Sequence, residues 1–197
     1  MSLQSGFHAV PRGHIGSVVT HLEMHAKPAL RPEQEVGLQL ERVARAEPDW
    51  YRALFRRIGA EYLWFGRLEI DEAALCAILH DPLVEVYRVL DGNADVGLLE
   101  LDFRRAGECE LAYFGLVAGF AGRGAGRWMM NRAIGLAWRE GVARFLVHTC
   151  SLDHPAALEF YRRSGFTACA REIEISEDPR LRGLLAETAA PGVPILR

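Results

Sequence analysis

Gly122-Arg123-Gly124-Ala125-Gly126 follows an apolar segment, Glu110 to Leu116, and leads into a run with helical spacing that continues through Arg139. Glycines let the backbone approach an anion and aim several N–H groups at it, and the start of a helix adds partial positive charge. Arg123 and Arg127 add full positive charges beside the turn. These residues in this order suit a pyrophosphate on a soluble cofactor, and they also suit a plain tight turn. Two familiar phosphate loops are excluded by single residues. A P-loop opens its helix with Lys-Ser or Lys-Thr, where this chain has Arg127-Trp128, and the dinucleotide fingerprint needs Gly or Ala where Met129 stands.

The elements that must position this turn can be read along the chain. Ile15 to Met24 is rich in β-branched residues and predicts a first strand. His21, Glu23 and His25 share one face of it, a spacing that fits a metal or, equally, a solvated strand face; no metal is expected. Pro32 opens a pattern in which Val36, Leu40 and Val43 recur at helical spacing up to Pro48, and a second helix is expected over Asp49 to Ile58. The bulky run Tyr62-Leu63-Trp64-Phe65 within Glu61 to Ile70 predicts a strand, with Trp64 and Phe65 either in the core or on a pocket wall. Asp71 caps a short helix ended by Asp81-Pro82. Val84 to Leu90 and Ala94 to Phe103 form a hairpin about Asp91-Gly92-Asn93, and Arg105-Ala106-Gly107 turns the chain into the central strand. After the helix that stops at Gly141, Phe145 to Cys150 is a strand parallel to the central one, since a helix crossover joins them. Pro155 and Gly165 bound a further helix, and Phe166 to Ile175 forms the last strand or hairpin.

Two blocks in this arrangement resemble the GNAT superfamily of acetyl-CoA-dependent N-acetyltransferases. Its signature, Gln or Arg, two residues, Gly, one residue, Gly or Ala, reads here Ala121-Gly122-Arg123-Gly124-Ala125-Gly126, with Ala121 in place of the usual polar residue. His154-Pro155 through Tyr161 to Gly165-Phe166 is similar to the family's Asn, helix, Tyr, Gly-Phe block, with His154 where Asn is common. The resemblance covers about Leu63 to Ile175 and implies an α/β (α+β) fold: a mixed, mostly antiparallel sheet flanked by helices, in which a splayed parallel pair of strands holds the cofactor. It implies acetyl-CoA as cosubstrate, held by Leu116, Val117, Gly122, Arg123, Gly124, Ala125, Gly126, Arg127, His154 and Tyr161. Residues 25–60, where the match is weakest, would then overhang the acceptor.

Acetyl transfer from a thioester to an amine needs a neutral amine, a donor for the carbonyl oxygen as charge builds on it, and a proton for the departing thiolate. Strand alternation puts Glu110, Ala112, Phe114 and Leu116 on one face, so Glu110 is the expected base, in the position of the family's strand glutamate; Glu108 shares that face but lies further away. Tyr161 matches the family's tyrosine and is the expected acid, and the Leu116 N–H is the expected donor to the carbonyl oxygen. The rival readings are a non-catalytic acyl-CoA sensor or scaffold of the same fold, and a nucleotide enzyme, for which no metal-binding acid stands near the loop.

Composition narrows the partners. A chain of 197 residues, half of them hydrophobic, supports one domain, with its core over about 15–175 and tails at 1–13 and 176–197. The formal net charge of −3 and dispersed arginines argue against nucleic acid. Four widely spaced cysteines, no long apolar run and no charged-then-apolar leader predict a cytoplasmic protein with neither membrane span nor disulfide framework. The acceptor is expected to be a primary amine of a small molecule, an amino acid or a protein, and a homodimer is an allowed assembly.

Overall fold

The computed structural model describes residues 4–120 and 122–197. Seven strands form one sheet in the order β2-β3-β4-β5-β6-β1-β7: β1 His14–Met24, β2 Gln39–Arg42, β3 Val84–Asp91, β4 Ala94–Asp102, β5 Glu108–Leu116, β6 Arg144–Cys150 and β7 Thr167–Glu177. Every neighbouring pair is antiparallel except β5 and β6. The N-terminal strand β1 is therefore threaded between β6 and the C-terminal β7. Helices α3 (Ala125–Ala137) and α4 (Ala157–Arg163) cover one face; α1 (Pro48–Gly59) and α2 (Glu72–Leu79) cover part of the other.

The helices form where the local chemistry favours them. Pro48 and Asp49 occupy the first turn of α1, where a missing N–H costs nothing and a carboxylate meets the positive end of the helix. Tyr51, Leu54, Phe55 and Ile58 then recur on one buried face. In α2 the Asp71 carboxylate accepts the Ala74 N–H at 2.7 Å. Between β3 and β4, Gly92 adopts φ +59°, which a two-residue turn requires.

Two sequence expectations are corrected. The helix expected from Pro32 up to Pro48 does not form: residues 32–47 contain none, and Gln39–Arg42 pair instead with β3, Leu40 opposite Val89 and Arg42 opposite Tyr87. Val36, Leu38 and Leu40, at a spacing of two, pack on the core, and Gly37 takes φ +65°, which a helix forbids. The open edge of β3 offers unpaired backbone groups that a lone helix would not use. Residues 61–70 likewise form no strand: a 3₁₀ turn over Ala60–Tyr62 ends at Leu63 in the left-handed region (φ 53°), and turns and bends carry the chain to Ile70. The bulk of this segment instead fills the α1 side, with Leu63 and Leu68 buried.

The ends of the chain differ from each other. Residues 4–13 are exposed except near Gly13, whereas 178–193, expected as tail, is built into the core beside α1. Asp178 and Arg180 pair at 2.7 Å, both almost fully buried, and Arg180 also donates to the carbonyls of Ala189 and Val193.

A second buried charge anchors the α1 face. Glu100, with no exposed surface, accepts from the Tyr51 hydroxyl and from Arg67 Nη2, each at 2.5 Å, and the Arg67 guanidinium lies 5.1 Å from the Tyr113 ring centroid. Removing one partner of a buried pair leaves the other charged and unsolvated. Glu100→Ala should therefore lower the unfolding free energy by about 3–5 kcal/mol, read by urea denaturation; an unchanged midpoint would mean that Arg67 finds water.

Candidate active site

A cavity of about 730 Å³ opens where β5 and β6 part, and runs from the start of α3 past α4 to the segment at residues 62–69. The strands pair only at Glu108↔Arg144, Cys109↔Phe145 and Glu110↔Leu146. Beyond these the backbones diverge. The Val117 N–H donates to Val96 of β4, so alternation along β5 turns the Leu116 N–H away from β4 and toward the gap.

One end of the cavity gathers backbone N–H groups and arginines. Gly122 and Gly124 adopt φ +75° and +81°, and Gly124 caps α3 with no side chain over the first-turn N–H groups. Ala125 opens the helix and is buried; Gly126 and Arg127 stand on the wall. Arg127 lies over the Phe160 ring and donates to Ser164 Oγ at 3.1 Å. Burial, then the positive charges of Arg31 and Arg163, pull its pKa down, which marks three guanidinium groups crowded near one spot. An arriving phosphate would relieve that repulsion. Arg123 does not belong to the wall: it is exposed and rests over Phe120. Ala121, the departure from the family signature, lies outside the described residues.

In the middle, Tyr161 is buried among Phe114, Phe160 and Phe166 and faces the cavity. Burial, with Asp153 nearby, raises its pKa, so the hydroxyl keeps its proton through neutral pH. His154 sits on the wall with Nδ1 accepting the Ala156 N–H at 3.1 Å, a cap at the entry to α4.

The far end is aromatic and acidic. Trp64 and Phe65 are on the wall, and Trp64 Nε1 donates to Asp153 Oδ1 at 3.1 Å, while Asp153 Oδ2 accepts from Thr149 and the Cys150 N–H. A bulge corrects the expected facing of Glu110. Leu111 pairs with Leu101 and Tyr113 with Glu100, leaving Ala112 unpaired, so the alternation skips a residue. Cys109, Leu111, Phe114 and Leu116 therefore share the α3 side, while Glu110 falls on the α1 side with Tyr113. There its carboxylate meets His148 of β6, Oε1 to Nδ1 at 3.4 Å. Pairing with the imidazole holds Glu110 below the usual carboxylate range, and the same pairing raises His148.

Three residues here escaped the sequence reading. Arg31 lies just ahead of the segment, opened by Pro32, that was expected to be helical; His148 lies within the strand expected over Phe145 to Cys150, with nothing local to name its partner; Asp153 had no local signal. The metal-compatible trio at the end of β1 and just beyond it separates into pairs, His21 with Glu172 and His25 with Glu23, each at 3.1 Å. Among the described residues no group of three or more His, Cys, Asp or Glu is arranged to hold a metal ion, and no helix is long and apolar enough to cross a membrane.

Sheet, splayed parallel strands and glycine-capped helix form a mixed α/β fold with a cavity at the point where β5 and β6 part. The profile of the acetyltransferase (GNAT) family matches residues 40–166, and the chain belongs to that family. Among solved structures it is similar to a conserved protein of unknown function from Staphylococcus epidermidis (TM-score 0.59, 14% identity, 84% of this chain and 64% of that one). A GCN5-related N-acetyltransferase from Sphaerobacter thermophilus gives TM-score 0.59 at 20% identity, over 86% of this chain and 53% of that one. An aminoglycoside acetyltransferase from a soil metagenomic sample gives 0.53 at 19%, over 66% and 88%, and was solved with trehalose and with sisomicin. At these identities the likeness is one of fold, and the chain spans less than two thirds of the first two proteins. No curated protein matches.

Proposed function

We propose that this chain is an N-acetyltransferase that moves an acetyl group from acetyl-CoA to a primary amine by direct attack in a ternary complex. The observation that carries the reading is the single cavity joining the glycine-capped start of α3 to the gap beside Leu116, with Tyr161 on its wall and the Glu110–His148 pair at its far end. The residues present fit acetyl-CoA. The backbone N–H groups of Gly124, Ala125 and Gly126 and the Arg127, Arg31 and Arg163 side chains suit its phosphates. The side of β5 that has parted from β6 at Leu116, with Val117 just beyond the strand end, suits the amides of its pantetheine arm.

When bound, acetyl-CoA supplies an activated acyl group. The chain's residues would then act in three places. The Glu110 side of the cavity takes the proton that the amine must lose, the Leu116 N–H donates to the carbonyl oxygen, and the Tyr161 hydroxyl gives a proton to the sulfur. Trp64 and Phe65 form an apolar wall beside Asp153, a composition that suits an amine carried on an organic body. The aminoglycoside acetyltransferase of similar fold supports including amino sugars among the acceptors tried. Four free thiols suit a reducing compartment, and we place the enzyme in the cytoplasm.

The test is thiol release from acetyl-CoA with sisomicin, spermidine and a lysine-containing peptide as probes, beside calorimetry with CoA. Amine-dependent release supports the reading. Tight CoA binding without it would make the chain an acyl-CoA sensor, and no binding would remove the cofactor.

A further inference from the structure

Glu110 occupies the expected strand position, yet the bulge at Ala112 sets it behind another residue. His148 stands on the cavity wall, and Glu110 does not. The two side chains are 49% and 36% exposed, and Nδ1 of the imidazole lies 3.4 Å from Glu110 Oε1. A carboxylate at Nδ1 keeps the proton on that nitrogen and leaves Nε2 as the basic atom. We infer that His148 is the general base of the acetyl transfer proposed above, and that Glu110 is a positioning residue which orients the imidazole and stabilises its cation.

The surroundings of the imidazole support this division. From β5 it faces Glu110; from β1, the His21 ring with centroid 6.0 Å away; from the turn after β6, Asp153; and from β7, Glu174. His21 is itself engaged by Glu172 at 3.1 Å. Three carboxylates thus favour a positive charge on His148, pairing with Glu110 foremost, and burial opposes it. Glu110 alone would be a weak base. Its carboxyl is held below an already acidic range, far from the basicity of an amine, whereas an imidazole titrates near the working pH, where proton transfer is most effective.

The step balances without a further reactant. The amine lone pair forms the N–C bond as the C=O π pair moves onto oxygen. The N–H bond breaks with its proton going to Nε2 of His148 and its electron pair staying on nitrogen; the pair on oxygen then re-forms the carbonyl. The C–S bond breaks, its electron pair leaving on sulfur, which takes the Tyr161 proton. The imidazolium returns its proton to solvent through the open cavity, and Tyr161 regains one.

Single-turnover rates across about pH 5.5 to 9, with whichever of sisomicin, spermidine or the lysine peptide the wild type acetylates, separate the two roles. His148→Gln should lose about 10²- to 10⁴-fold and abolish the acid limb of the pH profile. Glu110→Gln should lose less, about 10-fold, and move that limb to lower pH, because the imidazolium has lost its neighbouring charge. Histidine-ring NMR gives a readout independent of turnover. The resonance missing in His148→Gln should titrate at lower pH in Glu110→Gln, while calorimetry shows CoA affinity kept in both variants. A near-wild-type rate in His148→Gln, with Glu110→Gln inactive at every pH, would make Glu110 the base and overturn the inference. An unmoved His148 titration in Glu110→Gln would overturn the pairing. A wild type that binds CoA but acetylates no probe would instead sink the acetyl-transfer reading, and the base with it.

Discussion

Gly124→Val is expected to weaken CoA binding by at least about 100-fold while leaving the protein folded. Gly124 caps α3 at φ +81°, a region that costs an L-residue roughly 1–2 kcal/mol and a β-branched one more. A Cβ there would lie 3.5 Å from Gln34 Oε1 and 3.6 Å from Val36 Cγ1, so the two methyl groups of Val have only that segment or the cavity mouth to occupy. The helix itself should persist, because Met129, Met130, Ala133 and Ile134 bury its inner face. What is lost is the aim of the first-turn N–H groups. Charge-assisted hydrogen bonds are worth about 1.5–3 kcal/mol each, so misdirecting two of them exceeds the tenfold step of about 1.4 kcal/mol twice over. Gly126 behaves differently: its backbone is ordinary helix and an added Cβ meets Phe160 at 3.7 Å, so Gly126→Ala should bind nearly as well. Calorimetry with CoA, with circular dichroism as the fold control, decides this. Wild-type affinity in a folded Gly124→Val would take the glycine turn out of the site.

Tyr161→Phe is expected to slow the transfer step about 100-fold with CoA affinity unchanged. The ring packs against Phe114, Phe160 and Phe166, and phenylalanine keeps those contacts, so stability should change little. Only the hydroxyl is lost. Because burial raises its pKa, the hydroxyl is a proton donor throughout the neutral range, and the deficit should not vary between about pH 6 and 9. That flat deficit contrasts with the shifting acid limb expected on the His148 side. Above the unfolded tyrosine value of about 10 the wild type should lose stability, since the unfolded chain then ionises Tyr161 while the folded one resists. Single-turnover kinetics are the proper measurement, as slow product release would mask the chemistry at steady state. An undiminished single-turnover rate would return Tyr161 to a packing role.

Signals confined to a few residues were legible without the fold. Gly122 and Gly124 read as a turn because positive φ is nearly free only for glycine, and both adopt it. Asp71, Pro48 and the Gly92-Asn93 pair marked their helices and hairpin because capping and turn chemistry act within one or two turns of chain. Tyr161 was singled out by the family resemblance, through its spacing before Gly165-Phe166; α4 carries it onto the cavity wall, and Gly165-Phe166 follow just beyond the helix end.

What only the tertiary structure decided depends on partners distant in sequence. Residues 39–42 carry a pattern that serves either period, and the unpaired edge of β3 chose the strand. β1 is a strand by its own residues, but nothing in them says that it lies between β6 and β7 or that residues 25–38 must then pass over the start of α3, carrying Arg31 to the phosphate end. The bulge at Ala112 belongs to the register with β4, and one skipped residue turned Glu110 from the face shared with Phe114 to the face where His148 waits. Local composition determines which conformations a segment prefers. Which neighbour completes its hydrogen bonds, and so which side chains meet across the sheet, is a property of strand register, and register exists only once the chain has folded.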